Sequence, residues 1–166
     1  GEIRLQFGGD NADVWIDSIE IYALTSFASA LGDAGLTGAD ALIDSDLDGD
    51  TVINLFEYAS NLDMSTNDYH RLVSGTGTSG LPTFAIAPTN IFQTLELEYL
   101  RRRGAYDLQY IPEFTDNLVD GVWEGTPVPE TIVPIDSDWE RVIVQDLETT
   151  ETSTNRFGRV RVLFKP

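Results

Sequence analysis

The chain is 166 residues long, 42% apolar and 10% aromatic, which excludes a disordered polypeptide and leaves room for one ordinary domain or two small ones. Twenty-eight acidic residues against ten basic ones give a net charge of −18, which repels phosphate backbones and anionic lipid surfaces and so excludes nucleic acid and membranes as expected partners. The absence of cysteine excludes disulfides and thiolate zinc sites, and a single histidine leaves any metal to oxygen ligands.

No apolar stretch approaches the ~20 residues of a membrane span. The start, Gly1-Glu2-Ile3-Arg4, has neither an initiator methionine nor a signal peptide, so the chain is expected to be processed or cut from something longer. Between Arg4 and Arg71 there is no Lys or Arg, while thirteen acidic residues fall in that stretch. Such asymmetry predicts at least two functional regions.

Ile3, Leu5 and Phe7 alternate with Glu2, Arg4 and Gln6, and Gly8-Gly9-Asp10-Asn11 turns into Val14 to Tyr22, predicting a β-hairpin over 1–22. Two strands alone are marginal in water, so this hairpin must dock on something else. Leu24, Phe27, Ala28 and Leu31 fall at helical spacing, with Thr25 or Ser26 as N-cap and Gly32 as stop. A second helical pattern runs from Ile53 to Leu62 and ends near Asn61 to Asp63.

Between the two helices lies Asp46-Leu47-Asp48-Gly49-Asp50-Thr51-Val52-Ile53-Asn54-Leu55-Phe56-Glu57. Acids at positions one, three, five and twelve, with a bulky apolar residue at eight, have the spacing of a twelve-residue calcium loop. Asp46, Asp48 and Asp50 would each give one carboxylate oxygen, Val52 its backbone carbonyl, Asn54 a contact direct or through water, and Glu57 both carboxylate oxygens. Position six, normally Gly because the turn needs positive φ, is Thr51. A register starting at Asp44 would put Gly49 there, but Leu55 would then fall at position twelve and the bidentate ligand would be lost. Asp44 remains a nearby acid that either ligates or is solvated. The competing reading is an acidic solvated turn, which crowds four carboxylates together without a base.

Ser74 to Gly80 contains only Gly, Ser and Thr, the composition of a linker or a loose loop, and a domain boundary is expected there. The predicted division is therefore 1–22, 23–73 and 81–166. Beyond this stretch the period changes to two at Leu95 to Tyr99, Leu108 to Tyr110 and Val160 to Phe164, and further short runs at Thr83 to Ala87, Thr131 to Ile135 and Arg141 to Gln145 are separated by Pro, Gly, Asp and Asn. The fold class predicted is mainly β with a small α segment, ending in an antiparallel β-sandwich.

The stretch from Phe27 to Asp63, through Asp46-x-Asp48-Gly49-Asp50 and Asn54-Leu55-Phe56-Glu57-Tyr58-Ala59, resembles the dockerin-like single calcium-loop segments of large secreted bacterial proteins. It is also similar to the aspartate-rich repeats of thrombospondin type 3. Phe7-Gly8-Gly9 and Ala12 to Ile19 look like the closing strands of a galactose-binding-like jelly-roll carbohydrate-binding module; that resemblance implies that Asp17 helps hold a further structural calcium. Tyr106 to Tyr110 and Arg156 to Val162 look like the small C-terminal β-sandwiches of secreted polysaccharide-degrading enzymes. Together these resemblances imply a secreted, non-catalytic, calcium-binding accessory region of a polysaccharide-active protein, serving in attachment, spacing or carbohydrate binding, or alternatively a module that docks a protein partner as dockerins do.

Trp15, Trp123 and Trp139 offer flat apolar faces that either stack on sugar rings or fill a core. His70 beside Asp68 and Ser74, and the pairs Asp136 with Asp138 and Glu96 with Glu98, have the residue types of hydrolase chemistry but fit a surface histidine and solvated strand faces better. Arg101-Arg102-Arg103 is the one basic cluster, which could meet an acidic polysaccharide or the chain's own acidic part but fits an ordinary strand end better.

Overall fold

The computed structural model describes residues 26–88, 92–125, 130–149, 151–152 and 155–165. The predicted hairpin over 1–22, with Trp15 and Asp17, lies outside them.

Helix α1, Phe27–Asp33, starts where the hydroxyl of Ser26 accepts the Ser29 N–H at 3.2 Å, the N-cap its sequence offers. It runs one residue past Gly32. The reversal falls at Gly35, whose φ of 72° lets the Leu36 N–H reach back to the Leu31 carbonyl at 2.9 Å. A 3-10 turn at Gly38–Ala41, which the sequence pattern did not suggest, leads into the acidic loop. Helix α2, Asn54–Ser60, ends at Asn61 in the left-handed conformation, φ 57°.

Among the described residues six strands follow: β1 Thr83–Pro88, β2 Gln93–Arg102, β3 Leu108–Thr115, β4 Glu130–Pro134, β5 Trp139–Thr149 and β6 Phe157–Phe164. Every pairing is antiparallel, in a four-stranded sheet of order β1-β2-β5-β4 and a two-stranded ribbon of β3 and β6. Each predicted run overlaps one of these strands, with Ile135 just past the end of β4. Period-two alternation puts Leu97 and Tyr99 of β2 and Val142 and Val144 of β5 on one face, where they bury against Phe114 and Val160 of the ribbon.

A second core joins the helical part to the ribbon: Phe27, Leu36, Leu55, Tyr58, Ala59 and Met64 pack with Leu108, and Val162 and Phe164 close over them. The ring of Phe27 meets those of Tyr58 and Phe164 edge-on, each at 5.3 Å. Buried Asp107 accepts the Phe27 N–H at 2.8 Å and ties the start of α1 to the approach to β3.

The opposite face of the four-stranded sheet corrects the linker reading of Ser74 to Gly80. Glu98, whose side chain the β2 alternation turns away from the sandwich, forms a buried ion pair with Arg141 at 2.7 Å. It also accepts from the Ser74 hydroxyl at 2.6 Å and the Gly75 N–H at 2.9 Å, while Arg141 donates to the Gly77 carbonyl at 2.6 Å. These bonds satisfy a charge pair whose desolvation would otherwise be costly. A Cβ at Gly77 would stand 2.8 Å from Val73 N, and one at Gly80 2.6 Å from Leu72 N. Glycine is needed there for close packing, so the stretch is a turn docked on the sheet and bonded to the end of α2 through Gly80 N–H to Ser60 O.

The arginine cluster is structural. Arg101 pairs with Glu130 and Glu140 at 2.9 and 2.6 Å, and Arg103 donates to the Asp136 carbonyl at 2.7 Å. The Arg102 guanidinium lies between the rings of Tyr58 and Trp139, 4.3 Å from each. Trp139 is buried with Leu72 and Leu100, so the core reading holds for it and neither face is open to a sugar. Trp123 is half-buried with the Arg159 guanidinium 4.0 Å over its ring.

Candidate metal centre

The acidic loop is built from its own side chains. Asp46 accepts the Gly49 N–H through Oδ1 at 2.8 Å and the Thr51 N–H through Oδ2 at 3.0 Å. Asp48 Oδ1 accepts the Asp50 N–H at 3.0 Å, and Asp50 Oδ1 accepts the Val52 N–H at 2.8 Å. These successive turns fold short aspartates onto backbone donors and coil the segment on itself. The loop is anchored to its approach by Asn54 N–H to Ser45 O at 2.8 Å and Leu55 N–H to Ile43 O at 3.1 Å.

Within the turns, the second oxygens of Asp48 and Asp50 are buried without a hydrogen-bond partner. Glu57 Oε1 is in the same state, on a residue only 1% exposed on α2. One carboxylate oxygen each from Asp46, Asp48 and Asp50 lies within 4.8 Å of the others, and a second such group joins Asp50, Glu57 and Asp68. These clusters have the geometry to hold a metal ion. Asp44 is exposed and belongs to neither group among the described residues. Asn54 is fully buried, its amide nitrogen donating to Asp40 O at 2.7 Å and Leu42 O at 2.8 Å while its Oδ1 is without a partner. Its nitrogen therefore braces the 3-10 turn.

Asp68 was not singled out as a ligand by sequence, because it lies well beyond the twelve-residue spacing. The left-handed Asn61 reverses the chain after α2, and the Asp63 N–H donates to Asp68 Oδ2 at 3.2 Å, drawing that carboxylate back toward the loop. His70 Nδ1 donates to the Asp68 carbonyl at 2.6 Å, and Nε2 lies 3.2 Å from the Ser79 hydroxyl, so the histidine serves the backbone.

Electrostatics follow from the crowding. Burial first, then the charges of Asp48, Asp50, Asp68 and Asp46, push the Glu57 carboxyl up to about 8. Burial likewise raises Asp48, with the neighbouring Asp50 and Asp46 adding to it. Buried acceptors without donors cost roughly 1–3 kcal/mol each, and like charges add to that. A hard cation satisfies both at once, since carboxylate oxygens are the donors such ions take.

The strain anticipated at position six is present: Thr51 has φ 76°. Its side chain is exposed, so nothing there requires a β-branched residue. Thr51→Gly should stabilise the chain by about 1 kcal/mol, relieved strain outweighing the added freedom of the unfolded state. Urea unfolding of the two proteins at equal calcium measures it, and equal midpoints would remove the strain argument.

Against the outer side of the loop opens a cavity of about 410 Å³, whose walls include Thr51, Phe56, Tyr69, Arg71, Phe84 and Arg159. Tyr69 and Phe84 are exposed aromatic rings, and Phe84 packs across Gly158 of β6, where a Cβ would come within 3.0 Å of it. Neither residue drew attention in the sequence, where tryptophan was the aromatic considered. Comparison of the chain with protein-family models, with characterised proteins and with solved structures finds no match.

Proposed function

We propose that this chain is a calcium-stabilised, non-catalytic accessory region of a secreted polysaccharide-active protein. The observation that carries the calcium reading is the convergence of carboxylate oxygens that are buried yet lack donors, at the centre of a loop with calcium-loop spacing. Asp46, Asp48, Asp50 and Glu57 would hold the ion through carboxylates, Val52 through its carbonyl and Asn54 through Oδ1 or a water. The ion's role is structural, closing one loop onto α2.

The non-catalytic reading is supported by how the other ionisable groups are used. Glu98 is paired with Arg141, Glu96 accepts from Gln145 at 2.9 Å, and Asp136 accepts two backbone N–H groups of the turn before β5. Each serves the fold. The carbohydrate reading is supported by the cavity beside the loop, where Tyr69 and Phe84 present rings to solvent.

A second reading, docking of a protein partner through the calcium segment, is favoured by Leu42, Ile43 and Leu47, which are exposed on and just before the loop. Affinity electrophoresis against a panel of soluble polysaccharides, with calcium present, separates the two. The first reading expects retardation on at least one glycan, lost in Tyr69→Ala and Phe84→Ala variants that keep the wild-type melting curve, and no hydrolysis of any glycan. No retardation on any, together with a stoichiometric protein partner lost in Leu47→Asp, would move the assignment to docking.

A further inference from the structure

We infer that Asp68 is a ligand of the same cation, supplied from outside the twelve-residue loop, so that the ion crosslinks the loop and α2 to the returning segment 63–70. This rests on the reading of the loop as a calcium site and extends it.

Three observations point the same way. The grouped oxygens of Asp50, Glu57 and Asp68 lie within 4.8 Å of one another. Opposite ligands of one calcium ion, each at ~2.3–2.6 Å, are separated by about that distance, so a single ion can touch all three. Asp68 Oδ1 is buried without a hydrogen-bond partner, as are Glu57 Oε1 and Asp50 Oδ2, on residues 1% and 8% exposed. Finally, the rest of Asp68 is held in place: Oδ2 takes the Asp63 N–H and the backbone carbonyl takes the His70 ring. Bonding one oxygen to the backbone and leaving its twin inward is the arrangement of Asp48 and Asp50 as well. None of the three carboxylates forms an ion pair with Arg or Lys among the described residues. A cation is the one partner that answers all of them together.

The consequence reaches the neighbouring cavity. Thr51 and Phe56 on one wall belong to the ion loop and α2, while Tyr69 and Arg71 on another directly follow Asp68. An ion shared by Asp50, Glu57 and Asp68 would tie these two walls together and hold their spacing.

Calorimetric calcium titration of the wild type and of Asp68→Asn, Glu57→Gln and Asp44→Asn tests this. Asp68→Asn should weaken binding by at least about tenfold, the loss that removing a group one step behind a metal ligand already causes. Asp44→Asn changes the charge equally at an ungrouped acid and should leave affinity within about twofold. If Asp68→Asn binds like Asp44→Asn while Glu57→Gln binds poorly, Asp68 is no ligand and the loop reading stands. If Glu57→Gln also binds like the wild type, the loop reading itself is lost, and the inference with it. Hydrogen exchange on the unaltered chain gives an answer even where a variant fails to fold: calcium should slow the amides of 63–70 as well as those of 46–57. Protection confined to 46–57 would overturn the inference.

Discussion

Calcium added to the ion-free chain should raise its melting temperature by about 10 °C. Ligand that binds only the folded state stabilises it by about 2.7 kcal/mol at a hundredfold excess over the dissociation constant and about 4.1 kcal/mol at a thousandfold. For a chain of this size each kcal/mol is worth roughly 2–4 °C. The effect should spread beyond the loop, because Leu55, Tyr58 and Ala59 of α2 share a core with Leu108 of β3 and Phe164 of β6. Scanning calorimetry should therefore show one transition that moves as a whole, and chelator should move it back. In Glu57→Gln the shift should shrink to a few degrees. A melting curve indifferent to calcium and chelator would remove the ion from any structural role.

The second large effect is on pH. In the ion-free chain the Glu57 carboxyl is raised from its ordinary 4.5 to about 8, chiefly by burial and then by the aspartates around it. The folded state thus binds a proton more tightly than the unfolded state does. The associated stability is fully present below about 4.5, declines as the pH rises, and is gone above about 8. Burial of the group is nearly complete, so the loss amounts to a few kcal/mol across that window. Saturating calcium should remove the dependence, since the ion takes the place of the proton and holds the carboxylate charged. Urea midpoints at pH 5 and pH 8.5, with calcium and with chelator, measure this. The chelated protein should lose stability on going to the higher pH, and the loaded protein should not. Parallel behaviour of the two would show that Glu57 does not face the ion.

Much of the fold was legible because strands and helices write their periods into the chain. Val160 to Phe164 alternates because Val160 and Val162 face the sandwich while Arg159 and Arg161 do not, and Ser26 caps α1 because a serine before an apolar stripe has a donor to satisfy. The strain at Thr51 was legible for the same reason: counting from Asp46 puts it where the turn needs positive φ. Sheet order was not, since β2 pairs with β5 about forty residues away, and only the assembled core makes that choice. Composition misled at Ser74 to Gly80, because a glycine needed for close approach and a glycine in a flexible linker are the same letter. Asp68 was hidden differently. No spacing marks a residue that reaches the loop only because Asn61 turns the chain back and Asp63 bonds to its carboxylate.

The guanidinium of Arg102, held between Tyr58 of α2 and Trp139 of β5, bears on how the molecule behaves in brine. At molar salt the Debye length falls to about 3 Å, and partly exposed pairs such as Arg101 with Glu130 lose most of their attraction. A cation pressed between two aromatic faces excludes the ions that would screen it, and its hold comes from ring quadrupoles instead of an opposite charge. The seam between helices and sheet thus stays fastened as the medium grows saltier, in a chain whose excess of negative charge is itself quietened by the same salt.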